Sequence, residues 1–129
     1  MEELKDLKAK ETPYVVIFHL GLDDDIKPAD KSINNAFWGE GDKKKFYDAV
    51  KDYPPLCIFH GHKHLNPKPN TDPEYRKYLW PSEESKYYEP DKAQIQVYNV
   101  AGNTDKPCYW IVKIDAEKKT LIFPEHPIT

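Results

Sequence analysis

Two short apolar runs, "YVVIF" at 14–18 and "LCIF" at 56–59, each end in a histidine, and one helical stretch separates them. Both runs are continuous rather than alternating, the pattern of strands covered on both faces. Between them, "DKKKFYDAVKDY" (42–53) sets Phe46, Ala49, Val50 and Tyr53 along one helical face. Asp42 is the expected N-cap and Pro54-Pro55 the stop. A strand joined to a strand through a helical crossover pairs in parallel, because a tight turn cannot make that connection. A parallel pair at the centre therefore constrains the fold more than any other feature of the chain.

The remaining segments fit around that unit. "EELKDLKAKETP" predicts an amphipathic helix ended by Pro13. "DPEYRKYLW" (72–80) predicts a short helix with proline at its first position. "AQIQVYNV", "PCYWIVKID" and "TLIFP" read as strands, the last two as an antiparallel hairpin. The expected fold class is α/β, a mixed β-sheet with flanking helices, in a single domain over 1–129 with long loops at about 20–41 and 65–93. No internal repeat or low-complexity tract interrupts it.

Composition narrows the function classes. Acidic and basic residues are interleaved around a net charge of -3, which argues against a phosphate-backbone binder and a basic membrane-surface protein. Cys57 and Cys108 sit inside apolar runs, as buried free thiols do. No apolar run approaches membrane-spanning length and the charged opening "MEELKDLKAK" has no signal-peptide pattern. A cytoplasmic location is the expectation if Met1 is the native start.

The chemistry concentrates in "IFHGHKH" (58–64), which puts His60, His62 and His64 on alternate positions. Such a cluster is either a metal site or a row of solvated edge residues. Gly61 suits a sharp turn that converges imidazoles, and neutral imidazole is the commonest protein ligand for zinc, iron, nickel and manganese-like ions. His19 ends the first buried run, so in a parallel pair it emerges on the same sheet edge as His62. His60 is read as strand packing or as support behind the ligands, with direct contact to the metal or substrate as the alternative. Trp38 and Trp80, with Tyr75, Tyr78, Tyr87 and Tyr88, either wall a substrate pocket or pin the long loops to the domain. Asp23, Asp24 and Asp25 read as a solvated loop, Gly102-Asn103 as a turn, Arg76 as a helix-surface residue and His126 as uninvolved.

"IFHGHKH" resembles the final metal-binding block of the calcineurin-like metallophosphoesterases, an apolar strand followed by Gly-His-x-His. "PYVVIFHLGL" is similar to the block before it, where a buried strand ends in one ligand histidine. "FWGEGDKKKFYDAVKDY" and "VYNVAGNTDKPCYWIVKID" are similar to the helix between those blocks and to the closing strands. The resemblance implies the C-terminal half of a four-layer α-β-β-α sandwich and a two-metal centre hydrolysing phosphomonoesters or phosphodiesters. It implies that His19 and His62 ligate one ion of Mn, Fe, Zn or Ni type and His64 the other. The family's Asp-x-His, Gly-Asp-x-x-Asp and Gly-Asn-His blocks do not occur in these 129 residues. The expectation is therefore at most one weakly held metal and little hydrolysis by this chain alone. A phosphate ester would be the substrate, and a separate N-terminal half or a second copy the partner. The alternative is a non-catalytic metal-binding or assembly module that kept the half-fold.

Overall fold

The computed structural model describes residues 2–19, 22, 38–61, 77–100 and 111–125. Helix α1 spans Glu2–Ala9 and rests Leu4 and Leu7, half-buried, against the rest of the chain. Its end is a Schellman closure: Thr12 N–H reaches Leu7 O at 2.9 Å and Glu11 N–H reaches Lys8 O at 3.1 Å, with Glu11 in the left-handed region at φ 52. Pro13 follows the stop without making it.

Strand β1 is Val16–Phe18 and strand β2 is Ile58–His60. They pair in parallel with Val16 opposite Ile58 and Phe18 opposite His60, as the helical crossover requires. Strand β4, Ile95–Asn99, adds to the other side of β2, also in parallel, and strand β3, Lys77–Trp80, closes that side antiparallel to β4. The sheet order is β1-β2-β4-β3, and β5 (Ile111–Asp115) with β6 (Thr120–Glu125) forms a separate antiparallel hairpin. The architecture is mixed α/β, with a mixed sheet and, among the described residues, two helices.

Helix α2, Glu40–Val50, covers one face of the four-stranded sheet. The buried cluster there joins Tyr47 and Val50 of the helix to Ile58, Trp80, Ile95 and Val97 of the strands, with Leu22 beside them. Among the described residues the opposite face is covered in part. Tyr98 stacks on Phe59 at 5.6 Å, and Phe123 of the hairpin meets Tyr98 edge-on at 5.1 Å.

Four expectations need correction. β1 is not covered on both faces: Val16 and Phe18 turn toward α2 while Ile17 is 74% exposed. Residues 77–80 are not the end of a helix but β3, because pairing with β4 satisfies their backbone better than an isolated turn, and the 65–93 loop is broken accordingly. Asp42 is not the N-cap; Gly39 occupies that position in extended backbone, and Asp42 joins Glu40 in the first turn, where negative charge suits the helix dipole. The buried stripe of α2 is Lys43, Tyr47 and Val50, with Ala49 outside it.

Candidate functional site

The carboxyl ends of the parallel strands bring two of the described candidates, His19 and His60, to one edge. Because Phe18 lies opposite His60, the next residues, His19 and Gly61, are neighbours across the strand ends, and Gly61 N–H donates to His19 O at 3.1 Å. The end of β4 joins the same edge: Val100 N–H donates to His60 O at 2.7 Å, and Asn99 lies opposite His60 in register. This is the edge at which open α/β sheets carry their sites, since successive connections diverge there and leave a crevice.

His19 is exposed at this edge. A Cβ placed on Gly61 would lie 3.8 Å from His19 Nδ1, an ordinary contact distance, so the ring stands directly beside the glycine. An exposed imidazole at a strand end, next to the residue that precedes His62, fits the donor type and access that a divalent ion of the zinc or manganese kind needs. His62 and His64 lie outside the described residues. So do Asp23, Asp24, Asp25, Tyr75, Arg76, Gly102, Asn103, Cys108 and His126. Among the described residues no three His, Cys, Asp or Glu side chains gather around a point.

His60 is not a ligand position. It is 2% exposed, and both ring nitrogens are engaged: Nε2 with Tyr78 Oη at 2.7 Å and Nδ1 with Gly61 O at 3.0 Å. Its ring lies parallel to Phe18, 7° between planes and 6.3 Å between centroids, with Tyr78 set against it at 64°.

Of the two tryptophans, Trp38 packs on Phe18 at 4.9 Å and Phe46 at 5.3 Å, and so ties the start of α2 to β1. Trp80 is 2% exposed, contacts Phe46 and Tyr47 at 5.6 Å each, and donates Nε1–H to Tyr87 Oη at 3.2 Å. The ring is packed on these neighbours, and the part it still exposes lines, with Tyr87, a cleft at the start of α2. That cleft, of about 650 Å³, opens between the first turn of α2 and residues 82–87, but its described lining includes neither His19, His60 nor Gly61.

Charged pairs cluster at the end of α2 that leads into β2. Lys51 joins Asp48 and Glu89, and Lys92 joins Asp52 at 2.8 Å, fastening the β3–β4 connection to the helix. Hydrogen bonds from Lys44 and then Lys51 hold the Asp48 carboxyl below its usual pKa, and the Glu89 and Asp48 partners raise that of Lys51. These groups are solvated and work on the loop rather than on the histidine edge.

The sequence reading overlooked Asn99 and ranked Tyr78 only among loop aromatics. A polar residue closing the apolar run "IQVYN" was the available signal for Asn99. For Tyr78 no local signal existed, because its place opposite Val97 depends on the pairing of β3 with β4. Comparison with protein-family models, with characterised proteins and with solved structures gives no match to this chain.

Proposed function

We propose that the chain supplies the histidine-bearing edge of a metal-dependent phosphoesterase and corresponds to the C-terminal half of an α-β-β-α metallophosphoesterase sandwich. The observation that carries this reading is the Gly61 N–H to His19 O bond across the parallel strand ends. It aligns the strand that ends in His19 with the one that runs into Gly-His-x-His, so His19 and His62 stand as candidates for one ion and His64 for a second. Divalent ions in such a centre withdraw charge from phosphoryl oxygens and lower the pKa of bound water. Among the described residues, His19 stands exposed at this edge and His60 is buried behind it. Carboxylates equivalent to the family's Asp-x-His and Gly-Asp-x-x-Asp come from a complementing chain in this proposal, and hydrolysis by this chain alone is weak or nil.

The test has two stages. Manganese or cobalt titration of the chain, followed calorimetrically, is expected to show at most one weak site that His19→Ala or His62→Ala removes. Addition of a chain carrying Asp-x-His and Gly-Asp-x-x-Asp is expected to restore manganese-dependent hydrolysis of p-nitrophenyl phosphate or its diester. Metal binding with an assembled, metal-loaded and inert pair would move the assignment to a non-catalytic binding module. Absence of metal binding in both wild type and assembled pair would defeat the metal reading altogether.

A further inference from the structure

We infer that His60 is a positioning residue that sets the approach of both candidate ligand strands, an inference that rests on the assignment of His19 and His62 as ligands. Burying an imidazole at the end of a strand is costly unless its nitrogens are paired, and an aliphatic side chain would fill the space at less risk. His60 is buried and paired twice. The carbonyl oxygen of Gly61 can only accept, so Nδ1 carries the proton and donates to it; Nε2 is then the lone-pair nitrogen and accepts the hydroxyl of Tyr78. The bond from Tyr78 thus fixes the tautomer that the bond to Gly61 needs.

Gly61 is held from both sides by these contacts. Its N–H is bound to His19 O and its C=O to His60 Nδ1, so both polar backbone groups of Gly61 are held. The same imidazole lies nearly parallel to Phe18, the residue before His19, with 6.3 Å between ring centroids. One buried ring therefore neighbours the residue preceding each candidate ligand, and its two hydrogen bonds, to Gly61 O and Tyr78 Oη, set its orientation. Any buried histidine needs paired nitrogens; what marks this one is that its donor meets the carbonyl of the residue before His62.

Core filling and positioning rank substitutions in opposite order. His60→Leu keeps apolar filling and loses the donor, whereas His60→Asn keeps an N–H near the Nδ1 position with poorer filling. Nitrogen NMR of the metal-free wild-type ring is expected to show the neutral Nδ1–H form; an Nε2–H ring would overturn the inference without touching the metal reading. Amide exchange in the segment after Gly61 is expected to quicken in His60→Leu and Tyr78→Phe more than in His60→Asn. In cobalt titrations His60→Leu is expected to bind about tenfold more weakly than wild type, and His60→Asn within about threefold. If His60→Leu holds cobalt as tightly as wild type through a His62-dependent site, the positioning role falls and the ligand assignment stands. If wild type shows the Nδ1–H ring and holds no cobalt, the ligand assignment falls and takes the role of His60 with it.

Discussion

At Cys57 burial alone pushes the thiol pKa from 9.0 to about 12. Tyr14, which donates its hydroxyl to Tyr53 O beside the stacked Tyr53 ring, is raised from 10.0 to about 12, by desolvation first and by Tyr53 second. Both groups are neutral when protonated, so the unfolded chain loses these protons at lower pH than the folded one. Their contribution is complete below about pH 9 and is lost as pH climbs toward 12. Urea midpoints should hold level from pH 7 to 9 and fall steadily above it, and Cys57→Ala should flatten that fall. Native alkylation at pH 8, scored on the Cys57 peptide, should be far slower than in urea. Gly61 is the residue whose reason was misjudged from sequence. The expected need for glycine's backbone freedom is not met at Gly61, since no described glycine has positive φ and a Cβ there meets His19 only at ordinary contact distance. Gly61→Ala should therefore leave stability unchanged or raise it by about 0.4–1 kcal/mol through the unfolded chain, read from urea midpoints. A drop of more than about 1 kcal/mol would restore the strained-turn explanation.

At the scale of elements, the parallel pairing of β1 and β2 was legible because two apolar runs flanked a helix with a proline stop. The buried face of α2 was not. Spacing of apolar letters favoured Phe46, Ala49, Val50 and Tyr53, whereas the sheet receives Lys43, Tyr47 and Val50, with Phe46 alongside. Tyrosine counts as an apolar body of large area, and a lysine stem lies along apolar surface while its ammonium reaches Glu40 at 2.9 Å. β3 was hidden for another reason: an Asp-Pro start promises a helix locally, and only the partner strand β4 decides otherwise. The two faces of the argument can be separated by mutation. Trp80→Ala, which empties the space where β3 meets α2, should cost about 3–5 kcal/mol. Ala49→Gln, on the helix face once expected to be buried, should change stability by less than about 0.5 kcal/mol in the same urea measurements.

At the scale of the whole molecule, the described residues give one well-covered sheet face and one covered in part. Val16, Phe18, Ile58, Val97 and Trp80 turn to α2, so alternation sends Ile17, Phe59, Tyr98 and Leu79 to the other side. The hairpin reaches Tyr98 through Phe123, while Ile17 stays 74% and Leu79 50% exposed. The sequence could supply the hairpin but not its placement, which depends on contacts between elements far apart in the chain. β1 also ends the described strand order, so its outer backbone edge and Ile17 lie on the same flank of the sheet. In the proposed enzyme the complementing half supplies carboxylates to the edge marked by His19, and that edge is the end of β1. Its most economical docking is against β1 and the face carrying Ile17, where it would remove apolar side chains from water while delivering its ligands. Ile17→Glu combined with Leu79→Glu should therefore leave the urea midpoint of the isolated chain within about 0.5 kcal/mol per substitution. Sedimentation velocity should show the variant failing to assemble with the complementing chain, and manganese-dependent turnover should disappear with assembly. Undiminished assembly by the double variant would put the partner on another surface and separate the docking of the halves from the metal chemistry at the histidine edge.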